Sequence, residues 1–109
     1  MGLAEKTCVS CRGGISPLTE EEAHGYLEET PGWTLEEGAT RIERRFRFKD
    51  FASAMEFVRK VGELAEREGH HPDIAFGWGY CAVSFHTHKI HGLHGNDFIM
   101  AAKVNALTE

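Results

Sequence analysis

The sequence predicts an α+β fold, a four-stranded antiparallel sheet with three helices packed on one face. Three observations predict it. Apolar residues recur at helical spacing over residues 51–65. Residues 39–48 and 78–88 each alternate apolar and polar side chains with period two. Each alternating stretch also has a short strand-like neighbour across a tight turn. The resulting order is helix, strand, strand, long helix, strand, strand, helix.

Taken in turn, Thr19-Glu20-Glu21-Glu22 reads as a capping box, with Thr19 as N-cap and Glu22 three residues on. It opens a helix over residues 20–29 with Tyr26 and Leu27 inward, stopped by Pro31-Gly32. Residues 33–36 form a short strand and Glu37-Gly38 a turn. The strand over 39–48 carries Ile42, Phe46 and Phe48 on one face, and Arg41, Glu43, Arg45 and Arg47 on the other as a solvated stripe. Arg44 falls on the apolar side, as a dimer contact or a strand edge would allow. Asp50 caps a helix of about five turns whose inward positions are Phe51, Met55, Val58, Val61, Leu64 and Ala65. Gly69 supplies its left-handed C-terminal cap, and Pro72 holds His71 extended. Residues 74–76 form a strand that turns through Gly77-Trp78-Gly79 into the strand over 78–88. There Cys81, Val83, Phe85 and Thr87 share one face, and Tyr80, Ala82, Ser84, His86 and His88 the other. After the loop 91–95, Asn96 or His94 opens the last helix, with Phe98, Ile99, Ala102 and Leu107 inward. Trp33 and Trp78 are expected in the core or a pocket wall.

With 109 residues the chain is one domain. Area scaling gives roughly 6,000 Å² folded against about 17,700 Å² unfolded, enough burial for a core without disulfides or metal. Apolar residues make up 41% and charged residues 27%, which excludes disordered and fibrous classes. Twelve Lys and Arg against 17 Asp and Glu give a net charge of −5, so no direct nucleic-acid partner is expected. No apolar run reaches the roughly 20 residues a membrane span needs. The first residues lack the apolar stretch of a secretion signal, so the expected compartment is the cytoplasm. Residues 1–17 read as a flexible leader carrying a Cys8/Cys11 CxxC, and residues 18–109 as the folded domain. Three cysteines make no disulfide framework, and a single CxxC is half of a zinc ribbon at best.

Chemistry concentrates in the second half, where six of the seven histidines lie between positions 70 and 94. His70 and His71 follow a helix end, His88 ends a strand, Asp97 sits in a helix first turn, and Glu66 lies one turn before His70. Imidazole both gives and takes a proton near neutral pH, as a dehydration requires. A histidine pair in a loop also fits plain solvated surface. His86 and His88 form an HxH pair that, with His71 or Asp97, has the residue types of a metal site. His91 and His94, beside glycines, read as loop polar groups.

The run Glu66-Arg67-Glu68-Gly69-His70-His71-Pro72-Asp73, followed by Trp78, Thr87-His88, Gly92-Leu93 and Asp97, resembles the signature of the pterin-4a-carbinolamine dehydratase family. Leu18-Thr19-Glu20-Glu21-Glu22, Gly32-Trp33 and Phe46-Arg47-Phe48-Lys49-Asp50-Phe51 match the family pattern too, so the resemblance covers residues 18–107. It implies a lyase that removes water from 4a-hydroxytetrahydropterin to give quinonoid dihydropterin, in tetrahydropterin recycling after aromatic amino acid hydroxylation. By position it makes His70 and His88 the catalytic acid and base. His71, Glu66, Asp97, Pro72, Trp78 and Thr87 become substrate-binding residues. No cofactor and no metal are implied. The implied assembly is a homodimer or homotetramer, with a functional link to an aromatic amino acid hydroxylase.

An alternative in the same fold is a pterin- or molybdopterin-related binding or regulatory protein that acts as a dimerisation partner. The sequence departs from the family pattern in places. Ile74 stands where many relatives have Trp, His94 where Ser or Thr commonly caps the last helix, and His86 where a small polar residue precedes the catalytic histidine. The Cys8–Gly14 leader is absent from animal forms.

Overall fold

The structure is a computed structural model that describes residues 2–9 and 14–108. Helix α1 (Glu20–Leu27) begins as its capping box dictates: Glu22 N donates to Thr19 Oγ1 at 3.1 Å and Thr19 N to Glu22 Oε1 at 2.8 Å. It stops two residues short of the expected end, and Tyr26 stacks on Phe98 at 4.9 Å.

Strands β1 (Thr34–Glu36), β2 (Arg41–Arg47), β3 (Asp73–Gly77) and β4 (Tyr80–Phe85) form one antiparallel sheet in the order β1-β2-β4-β3. The two expected hairpins thus join through β2 and β4, which pair Ile42 with Phe85 and Phe46 with Cys81. The face bearing Ile42, Phe46, Cys81, Val83 and Phe85 is buried. It shares one core with residues of the helices α2 (Phe51–Glu68) and α3 (Gly95–Ala106). β4 ends at Phe85, earlier than the alternation suggests. The chain then makes a 3-10 turn over His88–Ile90, closed by a bridge between Thr87 and Gly92.

Asp50 caps α2 as expected, accepting from Ser53 N at 2.8 Å. The buried face of α2 differs from the expected one. Ala54, Phe57, Val61, Leu64 and Ala65 enter the core, while Phe51 and Met55 remain 45% and 50% exposed. The helix carries two adjoining apolar stripes and the sheet takes only one of them. Phe51 packs instead beside Phe76 on β3, with ring centres 5.4 Å apart.

Arg44 finds partners inside its own chain. Its Nη1 donates to Asn105 Oδ1 at 2.6 Å and to the Pro31 carbonyl at 3.2 Å, and its guanidinium lies 4.5 Å over the Phe46 ring. Gly32, at φ +92°, leaves room for that side chain; a Cβ there would come within 2.6 Å of Arg44 Nε. Trp33 is buried and donates to Asn105 Oδ1 at 2.9 Å.

The leader is tied to the domain at several points. Leu3, in a 3-10 turn over Leu3–Glu5, is buried in the core cluster. Lys103 Nζ donates to the Ala4 carbonyl at 2.9 Å, and Cys8 N donates to Glu68 Oε1 at 2.9 Å. Val9 exchanges two hydrogen bonds with the Asn96 side chain, at 3.0 and 2.7 Å. Cys11 lies outside the described residues, and with it any geometry of the CxxC pair. Among the described residues no helix is long and apolar enough to cross a membrane.

Candidate active site

The site forms where α2 ends. Gly69 takes the left-handed conformation at φ +67° and its N–H closes on the Ala65 carbonyl, which stops the helix within one residue. His70 and His71 therefore leave the helix end in succession, before Pro72 leads into β3. Opposite stands the start of α3. His94 caps it, accepting from Asn96 N through Nδ1 at 3.0 Å. Asp97 completes the box by accepting from His94 N at 3.0 Å. Asn96, the other expected cap, uses its side chain to hold Val9 instead.

Asp97 is fully buried, and its carboxylate meets three partners. His70 Nε2 lies 2.6 Å from Oδ1, while Thr87 Oγ1 donates to Oδ2 at 2.8 Å beside the His94 N–H. A carboxylate accepts only, so it selects the His70 tautomer with the proton on Nε2 and leaves Nδ1 for exchange. The His70 ring also lies parallel to Phe85, 6.0 Å away, which fixes its plane. Thus one aspartate orients the imidazole, anchors the strand end at Thr87 and caps α3.

His71 Nε2 meets Glu66 Oε2 at 2.5 Å, one turn back along α2, with both side chains largely in solvent. His88 opens the 3-10 turn, and its Nδ1 sits 3.2 Å from Nε2 of His86. Around these groups runs a cleft of about 480 Å³. His70, His71, His86, Thr87 and His88 line it together with Cys8, Val9, Glu68, Gly69, Lys89 and Asn96. A larger groove of about 940 Å³ between β2 and the start of α2 is edged by Arg45, Arg47, Lys49 and Lys60. It contains no imidazole, so the smaller cleft is the one equipped for proton transfer near neutral pH.

Of the expected site residues, His70, His71, His88 and Thr87 line the cleft, and Asp97 lies directly behind it. Glu66 reaches the cleft only through His71. Pro72 and Trp78 are not among its lining residues; Trp78 stands in the β3–β4 turn, 72% exposed. Sequence reasoning missed Cys8, Val9 and Glu68. Nothing local marks Cys8 and Val9, because they reach the cleft through contacts spanning 60 and 87 residues, while Glu68 lies at the end of α2, two residues before His70. Burial and the neighbouring Glu68 push the Cys8 thiol up to about 11, so it stays protonated near neutral pH. Among the described residues no three His, Cys, Asp or Glu side chains are grouped to hold a metal ion. The two rings of the HxH pair lie tilted at 58° to each other, with centres 4.0 Å apart.

The chain is similar to several known proteins. The family model described as pterin 4 alpha carbinolamine dehydratase matches residues 16–107. A Methylococcus capsulatus protein provisionally named pterin-4-alpha-carbinolamine dehydratase is 61% identical over 105 residues, covering 96% of this chain and 92% of its own. A Halorhodospira halophila protein with the same provisional name is 52% identical over 107 residues, covering 98% of each chain. Among solved structures, a transcriptional coactivator/pterin dehydratase from Brucella melitensis superposes with a TM-score of 0.80 at 34% identity, over 86% of this chain and all of that one. A pterin dehydratase-like protein identified as a RuBisCO assembly factor in the alpha-carboxysome gives 0.61 at 25% identity, over 72% and 94% of the two chains. Full-length relatives and a shared fold place the chain in one group: it belongs to the pterin 4 alpha carbinolamine dehydratase family.

Proposed function

We propose that this chain removes water from a 4a-hydroxytetrahydropterin, giving the quinonoid dihydropterin and serving tetrahydropterin recycling after aromatic amino acid hydroxylation. The observation that carries the reading is a pair of imidazoles lining one cleft: His70, set by Asp97, and His88, in contact with His86. Hydroxide is a poor leaving group. One imidazolium protonates the 4a-oxygen as the C4a–O bond breaks, the N5 proton passes to base, and the C4a–N5 double bond forms as water departs. Histidines on two sides of the ring serve the two stereoisomers at C4a. General acid–base help of this kind is typically worth about 10²–10⁴-fold. His71, backed by Glu66, holds the pterin. The chemistry needs no metal or organic cofactor.

The proposed working form is a homo-oligomer. β3 lies at the sheet edge, and Phe51, Met55 and Trp78 expose apolar surface. Pairing a second copy along that edge would satisfy its backbone groups and cover the patch. Light scattering at micromolar concentration tests this, and a strict monomer rules it out.

The function is tested by a stopped assay coupled to an aromatic amino acid hydroxylase and a dihydropterin reductase. Faster loss of the carbinolamine with this chain present, abolished by His70→Ala/His88→Ala, supports it. A rate unchanged by the protein overturns it and leaves the binding or regulatory alternative.

A further inference from the structure

We propose that His86 is a positioning residue for His88, holding the His88 proton on Nδ1 so that Nε2 is the nitrogen that exchanges a proton with substrate. The inference rests on the dehydratase reading for its kinetic consequence, though the proton placement stands on geometry alone. His86 lies just past β4, with its side chain mostly buried. Its Nε2 is 3.2 Å from His88 Nδ1. Two imidazole nitrogens at that distance share one proton, so one must donate and the other accept.

The far side of His86 decides which. His86 Nδ1 faces Asp73 Oδ2 on β3 at 3.9 Å. A carboxylate there favours the tautomer with the proton on Nδ1, which leaves Nε2 of His86 as the acceptor and makes His88 Nδ1 the donor. Other charged groups around His86 keep it in that state. Arg41 on β2 holds Asp73 at 3.0 Å and is itself held by Glu37 at 2.6 Å and by Ser84 at 2.7 Å. Burial, then His88 and Arg41, oppose a positive charge on His86, against the weaker pull of Asp73 and of Asp97 on α3. His91 shares the recess outside Arg41. A neutral His86 is an acceptor; a protonated one is not.

The two catalytic imidazoles are then set in complementary ways. His70 has Nε2 fixed by a carboxylate and offers Nδ1. His88 has Nδ1 fixed by an imidazole and offers Nε2. The aspartate does for one what the Asp73–His86 pair does for the other.

The test uses His86→Phe, which keeps a ring without an acceptor, and His86→Gln, whose amide oxygen can stand where Nε2 stood. Circular dichroism and thermal melting check folding, and His86→Met replaces the Phe variant if that one does not fold. Long-range ¹H–¹⁵N spectra of the imidazoles, recorded between about pH 6 and 8, report the His88 tautomer without substrate. The expected result is the Nδ1–H form in the parent and the Gln variant, and loss of that preference in the Phe variant. In the coupled assay the Phe variant is expected to lose roughly tenfold in kcat with little change in KM, and the Gln variant to recover most of it. An unchanged His88 tautomer in the Phe variant overturns the proposal, as does equal loss of kcat in the Phe and Gln variants. Should the parent show no dehydratase activity, the spectra still decide the His86–His88 relationship, so the two failures are distinguishable.

Discussion

His70 Nε2 lies 2.6 Å from Asp97 Oδ1, joining the end of α2 to the first turn of α3 through one buried carboxylate. The contact spans 27 residues and couples stability to chemistry, because the same carboxylate also receives Thr87 and the His94 N–H.

Asp97→Ala should therefore do two things at once. Three donors lose their acceptor, which is expected to cost about 2–4 kcal/mol. Asp97→Asn keeps the volume but offers the wrong hydrogen-bonding pattern to His70, and kcat is expected to fall about 10²-fold through the misplaced tautomer. Urea denaturation and steady-state kinetics check the two effects separately. Wild-type kcat in the Asn variant would remove Asp97 from the mechanism.

His70→Ala and His88→Ala should each lower turnover without unfolding the chain, since neither ring belongs to the core cluster. The losses need not match, because each imidazole is expected to favour one stereoisomer. The double variant should lose nearly all catalysis. His71→Ala should act mainly on KM, since its proposed role is the same in ground and transition states. His91→Ala serves as a control. His94→Ala is different: it removes the α3 cap and is expected to cost about 1 kcal/mol. Rates with resolved stereoisomers and thermal melts provide the checks.

Deleting residues 1–9 should destabilise the domain and open the cleft. It removes the buried Leu3 side chain and the bonds to Glu68, Asn96 and Lys103. Loss of a buried leucine alone is expected to cost about 2–4 kcal/mol. Asn96→Ala isolates the Val9 link and should raise KM more than it lowers Tm. A truncated chain with parental Tm and KM would show that the leader's contacts do not matter.

Stability should fall toward both ends of the pH range for identifiable reasons. Burial pushes the Cys8 and Cys81 thiols from 9.0 up to about 11. The unfolded chain releases those protons first, so stability is intact below about 9 and is lost as pH rises toward 11. His86 is held below its usual value of 6.5. The unfolded chain protonates it first, so its contribution is intact above 6.5 and is lost as pH falls below it. Denaturation midpoints across pH should show the alkaline slope reduced in Cys81→Ala and the acid slope reduced in His86→Gln.

Much of the fold was legible because its signals are local. Thr19 with Glu22, Asp50 with Ser53, and Gly69 at the end of α2 act within three or four residues of themselves, and all occur where expected. The alternation that put Cys81, Val83 and Phe85 on one face also holds, up to the end of β4 at Phe85. Phe51 and Met55 were misread because helical spacing shows how many apolar residues a helix carries, not which stripe its neighbours cover. The bond from Arg44 to Asn105 was not legible because the two lie 61 residues apart.

By itself, then, the sequence determined which segments become helix and strand, and which residue types stand ready for acid–base chemistry. These depend on backbone preference, side-chain periodicity and the imidazole's own titration range. Only the tertiary structure decided which imidazole nitrogen is free. That depends on Asp97 meeting His70 across 27 residues and on Asp73 standing beside His86 from the neighbouring strand. It also brought Cys8 and Val9 to the wall of the cleft, through bonds to Glu68 and Asn96. Hydrogen bonds are short-ranged and directional, so a site built from them exists only once the chain has brought distant segments within about 3 Å.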